Sequence, residues 1–84
     1  MKIKVLFFAQ IKEAMGEAER WMEVPEGSCV GDVAGQILPL RFAEGQDDGN
    51  SIPVIFAVNE NFETREKILK ESDCLAMMTP VSGG

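Results

Sequence analysis

Between Ser28 and Pro39, apolar side chains recur at Val30, Val33, Ala34, Ile37 and Leu38. Positions i, i+3, i+4, i+7 and i+8 make up one face of an α-helix, and this is the clearest helical stripe in the sequence. Ser28 is the expected N-cap, and Pro39 stops the helix. Gly31 and Gly35 lie on the flank of the stripe. Each weakens the helix by ~1 kcal/mol relative to Ala, and their small size suits a close approach to a sheet. Their GxxxG spacing is not a membrane signal, because the segment is too short and too polar. In 84 residues, which is one domain by length, the stripe can be buried only against a sheet.

The remaining apolar pattern supplies that sheet. Residues 2–9 are rich in β-branched and aromatic types and alternate as a strand. Ile3, Val5 and Phe7 share one side, while Lys2, Lys4, Leu6 and Phe8 share the other, which begins charged and ends apolar. Ile11, Ala14 and Met15 predict a short helix or turn closed by Gly16 in a left-handed cap. Residues 18–24 predict a second strand with Met22 and Val24 inward and Glu19, Trp21 and Glu23 outward. Pro25-Glu26-Gly27 then turns the chain. Residues 43–51 read as a polar loop, and its Asp47-Asp48 pair is a solvated turn, since two adjacent acids without spaced partners do not make a metal site. A third strand is expected over 52–58, with Pro53 near its start, followed by a turn at Asn59-Glu60-Asn61 and a short return strand beginning at Phe62 and Thr64. Residues 65–73 predict a charged loop with Ile68 and Leu69 tucked beneath it, and 74–78 the last strand. With the first two strands as a hairpin and the last returning beside the first, the expectation is an α+β fold: a β-grasp, or ubiquitin-like, roll with a mixed sheet and one main helix across one face.

Composition narrows the chemistry. The net charge is −6, which argues against a phosphate-backbone binder and suits docking on a basic partner. There is no histidine, so mechanisms needing an imidazole base or ligand from this chain are out. Cys29 and Cys74 lie far apart and form no CxxC pair. They read as two buried thiols in a reducing compartment rather than part of a zinc site. The N-terminal apolar run is too short and too charged for a span or a signal peptide, so a cytoplasmic protein is expected. A domain this small has little room for a large internal pocket. Its chemistry belongs at its edge or in a partner's site, with no bound cofactor and no metal of its own.

The chain ends Thr79-Pro80-Val81-Ser82-Gly83-Gly84. The expectation is a domain over 1–78 and a flexible tail over 79–84. Pro80 stiffens the leash and keeps it out of the sheet. Gly83 and Gly84 carry no Cβ and can thread a channel too narrow for other residues. The only reactive group they bring is the Gly84 carboxylate. An ATP-dependent partner could convert it to an acyl-adenylate, and attack by an amine would then give a conjugate, attack by a sulfur nucleophile a thiocarboxylate. A thiocarboxylate is ionised at neutral pH and nucleophilic through sulfur.

Val5-Leu6-Phe7-Phe8-Ala9-Gln10, Ala57-Val58-Asn59, Asp73 and the ending Pro80-Val81-Ser82-Gly83-Gly84 together resemble the small subunits of molybdopterin synthase, a likeness that spans the whole chain. The resemblance implies a β-grasp fold and a thiocarboxylate on Gly84 made by a separate adenylating enzyme. It further implies a heterotetramer with the large subunit, in whose active site sulfur passes to cyclic pyranopterin monophosphate on the way to the molybdenum cofactor. It places a docking patch at Phe8, Phe62 and Met78, continuing into Pro80, Val81 and Ser82, used alternately for the large subunit and the adenylating enzyme. Phe8 has separate support from the alternation, which puts it on the side away from Ile3, Val5 and Phe7. The sequence departs from the family pattern at Met77-Met78-Thr79-Pro80, where aromatics and a Pro-Pro pair are common. Methionine is adaptable enough for docking to survive. Three other readings compete with the sulfur carrier: a ubiquitin-like modifier joined through Gly84 to lysines, a carrier for another cofactor such as thiamine, and a plain interaction module.

Overall fold

The computed structural model describes residues 1–39, 42 and 53–80. In chain order the elements are β1 (Lys2–Phe7), α1 (Ala9–Met15), β2 (Glu19–Glu23), α2 (Val30–Ile37), β3 (Ile55–Val58), β4 (Asn61–Glu63) and β5 (Cys74–Met78). The strands form one five-stranded sheet in the order β2-β1-β5-β3-β4. β1 runs antiparallel to β2 and parallel to β5. β3 is antiparallel to both β5 and β4. The last strand therefore does return beside the first, and the sheet is mixed as the β-grasp reading requires.

The period-two pattern of β1 becomes the partition between core and surface. Ile3, Val5 and Phe7 are buried, joined by Leu75 and Met77 of β5 and Phe56 and Val58 of β3. Val30, Val33 and Ala34 of α2 close the core from above, with Ile11 of α1, Val24, Phe42 and Leu69 filling its ends. α1 stops where glycine allows it: Gly16 has φ 76° and its N–H donates to Lys12 O at 2.9 Å. β1 and β2 pair as expected, but α1 sits in the connection between them, so they are not a tight hairpin.

Several local expectations are corrected. The N-cap of α2 is Cys29, not Ser28. The Ser28 hydroxyl instead donates to Pro25 O at 2.7 Å, and the Asp32 carboxylate accepts the Cys29 N–H at 3.1 Å, placing an acid in the first turn where the helix dipole favours it. β3 begins at Ile55, because Ile55 faces Met78, the last residue of β5, and Val54 has no β5 partner beyond it. Ile52 and the 43–51 loop lie outside the described residues. Leu69 is buried, but Ile68 is 53% exposed. Ile68 makes an isolated antiparallel bridge with Cys29, and consecutive extended residues point to opposite sides, so only Leu69 reaches the core. Both cysteines are free thiols but only partly buried. Of the two helix glycines, Gly31 does meet a close neighbour, the backbone of Arg65 after β4, whereas Gly35 faces open space.

Candidate functional site

Both helices contribute to the core, and the opposite face of the sheet is left open. By strand alternation and register that face carries Glu19, Trp21 and Glu23 of β2, Lys2, Lys4 and Leu6 of β1, Cys74, Ala76 and Met78 of β5, Ile55 and Ala57 of β3, and Phe62 of β4. Phe8 extends it. Its backbone is extended (φ −127°, ψ 154°), so it follows Leu6 to the open side, and its N–H donates to Met77 O at 3.1 Å, carrying the β1–β5 pairing one residue beyond β1.

Leu6, Ala76, Ala57 and Phe62 lie opposite one another across four strands. Two alanines between larger side chains make a shallow saddle, and Ala57 is only 6% exposed although it points to the open side. Beside this row Ile55 faces Met78, with Phe8 next in line. Exposed large apolar residues among those described are Phe8 at 46%, Trp21 at 54%, Ile55 at 36%, Phe62 at 77% and Ile68 at 53%. All but Ile68 lie on this one face. Such clustering, rather than scattered single exposures, is what marks an interaction surface.

Charge divides the face. Its charged side chains, Lys2, Lys4, Glu19 and Glu23, all belong to β1 and β2, and the β5–β3–β4 half carries none. On the β4 side the apolar half runs into an open cleft of about 460 Å³ bounded by Ile55, Phe62 and Arg65.

The root of the chain's last segment emerges at the apolar half. β5 ends at Met78, Thr79 is still buried and Pro80 is exposed. Phe8, Ile55 and Met78 surround this exit. The structure thus brings the sequence-derived residues Phe8, Phe62, Met78 and Pro80 to one region. Val81, Ser82, Gly83 and Gly84 lie outside the described residues.

A polar clamp sets the position of Phe62. Asn59 and Glu60 have φ of 51° and 73°, the two left-handed residues of a tight β3–β4 turn. The Asn59 side-chain amide donates to Asp73 Oδ1 at 2.9 Å, and its carbonyl accepts the Cys74 N–H at 3.0 Å. Asp73 Oδ2 accepts the Lys70 N–H at 2.8 Å. The turn is thereby tied to the start of β5, which holds β4 and its Phe62 in register. In the sequence Asn59 stands out as a turn residue, and both Asn59 and Asp73 as points of family likeness, but not as partners. Their partnership spans fourteen positions, and no local pattern signals it. Alternation places Leu6 and Trp21 on the outward side but assigns them no role, and it passes over Ile55, whose strand is expected to start earlier.

Among the described residues no three Cys, Asp or Glu side chains converge as a metal site, and no helix is long and apolar enough to cross a membrane. What this face can do is bind another surface.

Residues 5–84 match the model of the ThiS family. The chain is 31% identical over 84 residues to a molybdopterin synthase sulfur carrier subunit of Arabidopsis thaliana, covering all of this chain and 84% of that one. It is 33% identical over 86 residues to the subunit of the same name from Chlamydomonas reinhardtii, covering all of both chains. Among solved structures, SAMP1 from Haloferax volcanii superposes with a TM-score of 0.79 at 25% identity over all of both chains. A putative molybdopterin converting factor subunit 1 from Pyrococcus furiosus superposes at 0.73 with 30% identity, over 96% of this chain and 99% of that one. The complex of subunits 1 and 2 of the molybdopterin-converting factor from Helicobacter pylori contains a chain that superposes at 0.60 with 20% identity over all of both chains, a likeness of fold.

Proposed function

We infer from a chain that belongs to the ThiS family, and within it matches molybdopterin synthase sulfur carrier subunits along its whole length, that this protein carries sulfur for molybdopterin synthesis. The observation that carries the reading is the open apolar face gathered around the exit of the last segment, with Phe8, Ile55 and Met78 at the root and Phe62 beside them. A partner seated there would receive the last residues directly in its own site.

The proposed cycle uses one group of this chain, the Gly84 carboxylate. It attacks the α-phosphorus of ATP on an adenylating partner, and pyrophosphate leaves. Hydrosulfide then attacks the acyl carbon through sulfur, AMP leaves, the S–H proton is lost, and Gly84 becomes a thiocarboxylate. In the large subunit this sulfur bonds to cyclic pyranopterin monophosphate, water attacks the acyl carbon, the acyl C–S bond breaks to leave the sulfur on the pterin, and the Gly84 carboxylate is regenerated. This chain's contribution is presentation: glycine's lack of a side chain lets the end enter a narrow channel, and the sheet face fixes where that channel must open. The assembly proposed is a heterotetramer of two small and two large subunits. The complex of subunits 1 and 2 in the Helicobacter pylori relative supports such a partner. The free thiols of Cys29 and Cys74 fit a reducing, cytosolic setting.

Intact-mass measurement after incubation with adenylating enzyme, ATP and a sulfur donor tests the reading. A gain equal to one oxygen-to-sulfur exchange is expected, and it should vanish when Gly84 is deleted while thermal unfolding stays the same. Sulfur delivery by the shortened chain would overturn the mechanism. The fold likeness to SAMP1 keeps amine capture as the second reading, and lysine-linked conjugates in a cell lysate would favour it.

A further inference from the structure

The five methionines of this chain do not share one environment. Met77 is fully buried, and Met1, Met15 and Met22 pack against the core. Met78 belongs to neither group. It ends β5, where alternation turns it to the open side, and it is only partly buried. Ile55 lies opposite it on β3. Phe8 lies on its other flank, because the bond from the Phe8 N–H to Met77 O continues the β1–β5 register. Both neighbours are exposed, as is Pro80 two residues on. One thioether therefore stands in the apolar half of the face, at the root of the last segment.

A thioether differs from a hydrocarbon side chain in what it can become. It accepts one oxygen atom and changes from an apolar, adaptable group into a polar one. The oxidant has to reach the sulfur, so place in the fold sorts the five. At Met77 that requires the domain to open, and at Met78 it does not. Place also sorts the consequences. Met78 lies outside the core cluster, and β5 is held to β1 and β3 through its backbone, so a polar group on this side chain leaves the fold intact. The β5–β3–β4 half of the face carries no charged side chain. A partner fitted to that half presents apolar surface, and an S=O group closed beneath it without a donor opposes binding.

Resting on the sulfur-carrier reading, we propose that Met78 is a reversible oxidation site, at which a peroxide acts on the free carrier and lowers its affinity for the large subunit. The thioether sulfur attacks one oxygen of hydrogen peroxide. The S–O bond forms as the O–O bond breaks, and the second oxygen leaves as water with both hydrogens. Sulfur gives up two electrons and the peroxide takes them. A dithiol reverses the step, removing the oxygen as water and becoming a disulfide. Docking covers the same sulfur, so the bound carrier is protected and the free carrier responds.

The test treats the carrier with hydrogen peroxide, free and in complex with the large subunit, and then with dithiothreitol to return oxidised thiols. Peptide mass mapping of the free carrier should find one added oxygen at Met78 sooner than at the four methionines of the core side, and the complex should keep Met78 unmodified. The oxidised carrier should bind the large subunit about tenfold more weakly and unfold at an unchanged temperature. Methionine sulfoxide reductase with dithiothreitol should restore the affinity. Met78→Leu has no sulfur at this position, and peroxide should leave that variant's affinity where it stood before treatment, which separates Met78 from Cys29 and Cys74. Oxidation of Met77 ahead of Met78, undiminished binding by the Met78 sulfoxide, or an equal loss of affinity in treated Met78→Leu overturns the assignment. Phe8→Asp is the control for the underlying reading. Undiminished binding by that variant overturns the docking face itself, whereas weakened binding by Phe8→Asp beside undiminished binding by the sulfoxide overturns the Met78 site alone.

Discussion

Phe7 and Phe8 are neighbours in the chain and belong to different regions of the molecule. Phe7 is 1% exposed beneath the helices, and Phe8 is 46% exposed on the opposite side of the sheet. The same strands build both faces, but the covered face is apolar along its central strands, with Arg20, Asn61 and Glu63 only on its edge strands, and the open one shifts from charged at β2 to apolar at β4. The covered face answers to packing alone, so its residues are fixed by volume. The open face keeps apolar area in water, a feature that stability does not require. The difference separates what this chain needs to fold from what it needs to be held.

The largest effects should come from the covered face. Phe7→Ala is expected to cost about 3–5 kcal/mol, through lost transfer energy and a residual cavity. Phe8→Ala should stay within about 0.5 kcal/mol, as surface changes usually do. Urea denaturation of the two variants measures the contrast directly, and equal losses would place Phe8 in the core and remove it from the docking surface.

The reverse contrast should appear in binding. Phe8→Asp sets a charge against the apolar half of the face and is expected to weaken the large subunit by about tenfold or more, with cooperative unfolding retained. Phe62→Asp should act in the same direction, since Phe62 is more exposed still. If Phe8→Asp unfolds the domain, the two faces are not separable in the way proposed.

Much of this division is legible in the sequence. Ile3, Val5 and Phe7 against Lys4, Leu6 and Phe8 is a period-two pattern, and the Val30–Leu38 stripe admits only one packing partner. These signals survive because burial acts on every repeat of the pattern. The rest depends on pairing between distant segments. Ile55 opens β3 because β5 ends opposite it. Ile68 points outward because its neighbour Leu69 takes the inward side of the bridge with Cys29. Asn59 matters because Asp73 and Cys74 are brought to it by the sheet. Family likeness points to the docking residues one by one, and only register shows that Phe8, Met78, Ile55 and Phe62 share one surface.

The clamp linking the two kinds of residue should give an intermediate effect. Asn59→Ala removes two side-chain hydrogen bonds and puts alanine at φ 51°. A loss of about 1–2 kcal/mol is expected. Asn59→Gly keeps the left-handed conformation accessible, so the difference between the two variants isolates the strain from the lost bonds. Because the clamp also holds the turn that leads into Phe62, Asn59→Gly should weaken docking more than its loss of stability alone explains. A docking affinity that is unchanged would show that β4 is positioned without it.

The smallest effect tests whether the covered side can be altered with no consequence for the open one. A Cβ at Gly35 would meet nothing within 4 Å, whereas one at Gly31 would lie 3.2 Å from Arg65 Cβ and 3.3 Å from its backbone oxygen. Both positions gain helix propensity from alanine, worth up to ~1 kcal/mol. At Gly35 nothing opposes that gain, so Gly35→Ala should stabilise the domain by about 0.5–1 kcal/mol. At Gly31 the contact falls partly on backbone that cannot rotate away, so Gly31→Ala should gain less or lose. Neither substitution touches the sheet's open face, and the affinity for the large subunit should not change in either variant. A shift in affinity with Gly35→Ala would mean that the helix side and the docking side are coupled through the sheet, and the separation argued from Phe7 and Phe8 would then hold for packing but not for binding.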